Sequence, residues 1–105
     1  MKKLIYIILS LILLVPNSFA QIITNNGNSF VPDTLYVNIG DTVIFNITNN
    51  HNAVEVSENT WDSNGTITNN GFNIAYGGGD FIVDSIKTYY YVCQPHAGMG
   101  MKGVI

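Results

Sequence analysis

The sequence predicts a small all-β domain, an antiparallel sandwich or barrel, behind a short N-terminal export leader. Three observations carry this. Apolar residues recur at every second position in several short runs, turn-forming Asn-Gly, Gly-Asp and Gly-Gly pairs separate the runs, and no segment sustains a 3.6-residue period. At 105 residues the chain has room for one domain.

The leader comes first. Lys2 and Lys3 precede residues 4–15, a run of 12 that is apolar except for Ser10, and residues 16–20 close it with small side chains at Ser18 and Ala20. Charge, apolar run and small-x-small site in that order are a secretory signal. The run is shorter than the roughly 20 residues needed to span a bilayer. No cysteine stands directly after the cleavage site, which argues against a lipid-anchored form. The expected division is a signal peptide at 1–20 and a mature domain at 21–105, exported to a periplasmic or extracellular space, with no membrane insertion after cleavage.

The mature part then reads as strands. Ile22 and Ile23 open it, and residues 30–34 follow an Asn/Gly turn. Leu35, Val37 and Ile39 alternate with Tyr36 and Asn38, Gly40-Asp41 turns the chain, and Val43, Phe45 and Ile47 share the face of the next strand. Residues 53–56 form another. Residues 57–79 read as a polar loop holding Asn64-Gly65, Asn70-Gly71 and a triple glycine, pinned by Trp61, Phe72, Ile74 and Tyr76. Strands are expected again at 81–83, 87–93 and 103–105.

Charge narrows the function. Residues 21–105 keep only Lys87 and Lys102 against seven acids, a net of −5, and the chain has no arginine. Such a surface cannot neutralise phosphates, so nucleic acid is excluded as a partner, and anionic lipid has nothing to attract. A domain of 85 residues has a thin stability margin. Small exported domains often add disulfides, but Cys93 is the single cysteine. A lone thiol in an oxidising compartment is exposed to oxidation unless something occupies it.

Cys93 heads the run Cys93-Gln94-Pro95-His96-Ala97-Gly98-Met99-Gly100-Met101. A thiol, an imidazole and thioethers on one Gly-rich loop are soft donors, which select copper over calcium, magnesium or manganese. His51, the other histidine, sits just past a strand end. Taken singly, a buried Cys or Met is usually core filler and a His usually a surface residue. Together they make a ligand set. Met99 and Met101 both remain open as the thioether donor on spacing alone.

The stretch 41–45, the His51-Asn52-Ala53-Val54 corner and residues 88–101 resemble, in order, a cupredoxin of the plastocyanin and pseudoazurin kind. That resemblance implies a Greek-key antiparallel β-sandwich. It implies one type 1 copper ion, cycling between Cu(I) and Cu(II), held by His51, Cys93, His96 and Met101. Met101 at offset eight from Cys93 matches the family, which leaves Met99 as a surface residue. The resemblance also implies a backbone amide bond from Asn52 to the Cys93 sulfur. The expected function is one-electron transfer by a monomeric carrier, not catalysis. Redox proteins would dock weakly and transiently at His96 and Met99, over a patch of residues 97–100, with Glu55, Glu58 and Asp62 steering basic partners. Val92 stands where photosynthetic plastocyanins carry a tyrosine, and no acidic run of their type is present, which points to a respiratory carrier. Two other readings compete: a Cu(I) chaperone or storage protein using Cys93, His96, Met99 and Met101, and a Cys93–His96 hydrolase, whose spacing on a tight loop predicts poor geometry.

Overall fold

The computed structural model describes residues 18–105, so residues 1–17 of the expected leader lie outside it. Among the described residues eight strands form two four-stranded sheets. They are β1 (Ala20–Asn26), β2 (Ser29–Val31), β3 (Thr42–Asn46), β4 (Ala53–Val56), β5 (Thr68–Ile74), β6 (Gly79–Ile82), β7 (Tyr90–Val92) and β8 (Lys102–Val104). One sheet runs β2-β1-β3-β6 and the other β5-β4-β7-β8. The expected sandwich is the observed architecture. Its pairs are antiparallel except β1 with β3, which is parallel because the chain crosses over between them instead of turning back in a hairpin.

Between the sheets lies the core. Val43 and Phe45 on β3, Ile23 on β1, Phe30 on β2 and Tyr91 on β7 all point inward. Phe30 and Phe45 meet the Tyr91 ring edge-on at 4.9 and 5.2 Å. Such pairs add to simple area burial. Tyr89, Tyr91 and Cys93 alternate onto this same inner face, as the period of two requires. Val54, Val56 and Val92 point to the opposite face of the second sheet, which is also buried. Trp61 covers it, from a short helix α1 (Glu58–Asp62) capped by Ser57. The Trp61 indole N–H donates to the Gly103 carbonyl at 2.9 Å, and Lys102 lies 3.9 Å over its ring.

Three expectations change. Residues 57–79 are not one loop: they hold α1 and the seven-residue edge strand β5. Strand β5 reads as a loop because Asn69, Asn70 and Gly71 suit turns, and only Phe72 and Ile74 bury apolar surface. Tyr76 is not an anchor but lies 56% exposed. Residues 35–39 form no ladder; Leu35 donates to the Val104 carbonyl, and Leu35 and Val37 pack on the core while Ile39 faces out.

Candidate metal centre

Sheet register brings the donors to one end of the molecule. In the antiparallel β4–β7 pair Val54 faces Val92, so continuing the register places Asn52 opposite Gln94, one residue past Cys93. His51 therefore arrives beside Cys93 although 42 residues separate them. The β7–β8 hairpin pairs Val92 with Lys102. One step further, the Cys93 N–H donates to the Met101 carbonyl at 2.9 Å. Facing residues of a ladder point to the same side, so Met101 joins Cys93 in the core, both with no exposure. This is the physical content of the offset of eight.

The intervening residues wind into a 3₁₀ turn (Gln94–Met99), started by Pro95 and ended by Gly100 in the left-handed region at φ 86°. The turn directs His96 back over the sulfur. Cys93 Sγ lies 3.6 Å from His51 Nδ1 and 3.4 Å from His96 Nδ1, and the two imidazole nitrogens are 3.1 Å apart. All three donor atoms fall within 4.8 Å of one another. Met99 is instead 66% exposed on the turn.

The surroundings suit a cation. Burial pushes the Cys93 thiol up, while the backbone N–H groups of Asn52 and His96 pull it down by donating to the sulfur. Burial, then the charge His96 would carry, holds His51 below the ordinary imidazole value, against the pull of the Gly27 carbonyl. A neutral imidazole is what a metal requires. Asn52 fastens the two halves: its Oδ1 accepts from the Gln94 N–H at 2.9 Å and its Nδ2 donates to Gln94 Oε1 at 3.0 Å. Gln94 in turn donates to the Thr66 carbonyl at 3.1 Å. Gln94 and the Gly27 carbonyl escape a motif reading, although the strand register marks Gln94.

The rim carries no charge. Turn 25–28 is tied in through Asn25 Oδ1, which accepts from the Thr48 N–H, and segment 75–79 through the Gly77 N–H, which donates to the His51 carbonyl. With residues 47–52 and 94–101, these segments contain no Asp, Glu, Lys or Arg. Glu55 does not steer partners: it is buried and bonded to Lys87 Nζ at 2.8 Å. Ala97 is fully buried and so is not part of an exposed patch. The expected poor geometry between Cys93 and His96 is also overturned, since they lie within hydrogen-bonding range. What disfavours a nucleophile is that the sulfur is completely buried.

Fold and donor set together define a small β-sandwich whose soft ligands fit one type 1 copper ion. The sequence profile of the copper binding proteins of the plastocyanin/azurin family matches residues 18–105, and the chain belongs to that family. Pseudoazurin from Hyphomicrobium denitrificans is 29% identical over 81% of this chain and 72% of its own, with a TM-score of 0.58. Spinach plantacyanin is 21% identical over 82% and 96%, with a TM-score of 0.61. The purple cupredoxin from Nitrosopumilus maritimus is 20% identical over 81% and 94%, with a TM-score of 0.60. No curated protein matches in sequence. Among the described residues no helix is long and apolar enough to cross a membrane.

Proposed function

We propose that this chain is an exported one-electron carrier whose copper is held by His51, Cys93, His96 and Met101. The observation that carries the reading is the convergence of two imidazoles and a thiol at one end of a rigid sandwich, with Met101 directly across the ladder from Cys93. Copper, when bound, supplies a one-electron couple between Cu(I) and Cu(II). The chain's own contribution is to hold four donors in place. His51 hangs from the sheet, the other three from one hairpin, and the Asn52–Gln94 clasp locks the two together. Little in the site has to move between oxidation states.

His96 is the partly exposed ligand and Met99, three residues on, is exposed on the same turn, which makes this end the contact point for redox partners. The uncharged rim favours weak, transient docking through apolar and amide groups. The domain begins at Gln21 once the leader is removed. Cleavage after Ala20 keeps four of the five β1–β3 pairings and removes the bond from the Phe19 N–H to Asp41.

The test is to add Cu(II) to the purified protein and record the visible spectrum and cyclic voltammogram. An intense blue thiolate band and a reversible wave are expected. His51→Gly and Cys93→Ser should abolish the band, Met101→Gln should keep colour and lower the potential, and Met99→Leu should change neither. A band that survives loss of His51 overturns the ligand assignment. Tight Cu(I) binding with no blue band and no reversible wave would favour the chaperone or storage reading.

A further inference from the structure

Two Asn-x-Thr tripeptides lie in the domain, Asn46-Ile47-Thr48 and Asn64-Gly65-Thr66. Asn-x-Ser/Thr is the acceptor pattern of N-glycosylation, which calls for a surface loop in an exported protein. The structure separates the two tripeptides. Asn46 ends β3 with its backbone paired to Thr24, Ile47 is buried in the core, and the Thr48 hydroxyl donates to Asn50 Oδ1 at 2.7 Å. Engaging it means peeling a core strand away. Asn64 lies in the connection between α1 and β5, at a left-handed φ of 55°, and is exposed. Neither its carboxamide nor the Thr66 hydroxyl makes a hydrogen bond among the described residues.

We propose that Asn64 is an N-glycan acceptor in the exported protein, modified from a polyprenyl-diphosphate-linked oligosaccharide. The proposal rests on the export reading above. In the transfer, Asn64 Nδ2 forms a bond to the anomeric carbon of the sugar, the bond from that carbon to the diphosphate oxygen breaks, and the polyprenyl diphosphate leaves with the electron pair. The amide proton passes to a base on the transferase, and nothing is oxidised or reduced. The hydroxyl of Thr66 is the group a transferase grips to present the amide. The connection can supply both, because its anchoring bonds run through backbone atoms: Asn64 N–H to Trp61, Gly65 N–H to Thr60, and the Thr66 carbonyl to Gln94. A glycan here stands on the flank of the uncharged rim, two residues from the carbonyl that Gln94 holds, and touches none of the four donors.

The experiment incubates the purified, folded full-length chain with a purified bacterial oligosaccharyltransferase and its lipid-diphosphate oligosaccharide, and reads intact mass and glycopeptides. One glycan at Asn64 is expected, and none in Asn64→Gln or Thr66→Ala. Asn46 should stay bare unless the chain is first unfolded in urea. No transfer to the folded chain, or preferential transfer to Asn46, overturns the proposal. The assay contains neither membrane nor copper, so it fails independently of the copper reading. Retention of residues 1–20 on the chain recovered from expressing cells would overturn export and, with it, modification in the cell.

Discussion

Replacing Asn52 by alanine tests whether the clasp between the two donor segments is what holds the centre together. Asn52 is 4% exposed, and its side chain makes two hydrogen bonds to Gln94. Each such bond is worth roughly 0.5–1.5 kcal/mol net, and an orphaned buried donor costs about 1–3 kcal/mol. Gln94 Oε1 is half-buried and can turn to water, whereas its N–H is left without its acceptor. The expected loss is about 2 kcal/mol, which for a domain of this size lowers Tm by roughly 8–16 °C. The backbone N–H of Asn52 persists in the variant, so the sulfur keeps that donor. Colour should therefore survive while copper is lost to a chelator more readily. Thermal and urea unfolding of the copper-free protein measure the first effect, and chelator competition the second. A double-mutant cycle with Gln94→Ala should give about 1 kcal/mol of coupling. Stability within about 0.5 kcal/mol of the wild type, or a cycle with no coupling, would refute the reasoning.

Two further outcomes follow from buried polar groups. Burial pushes the Glu55 carboxyl up, but the Lys87 ammonium, the Asn69 amide and the Phe72 N–H outweigh it and hold the group below its ordinary 4.5. Glu55 also holds Lys87 above its ordinary 10.5. The depressed acid stabilises above pH 4.5 and loses that contribution as pH falls through its folded value; the raised base stabilises below pH 10.5 and loses its contribution as pH rises through its own. Glu55→Gln should therefore flatten the acid limb of a Tm-versus-pH curve, and parallel curves would contradict this. Tyr91 carries a buried hydroxyl with no partner among the described residues. Tyr91→Phe keeps the ring contacts and should gain about 1 kcal/mol in urea unfolding; a loss of that size would reveal a hidden partner.

The sandwich was legible because alternation at Val43, Phe45 and Ile47 and at Tyr89, Tyr91 and Cys93 leaves only one face for the core. Strand β5 was not, because an edge strand needs few apolar residues. Its place is set by backbone pairing with β4 and by the Glu55 carboxylate, which fills the space a side chain at position 71 would need. Glu55 looks like a surface acid in one dimension, and only the neighbouring strands show it enclosed with Lys87.

The sequence by itself determined the donor types, the family and the alternation that builds two sheets, since these follow from residue chemistry and near-neighbour spacing. Tertiary structure decided which sulfur faces inward, that Asn52 and Gln94 meet, and that the centre opens onto an uncharged rim. Such facts depend on register between strands far apart in the chain. Register is fixed by packing the whole core at once, and no local run of residues contains it.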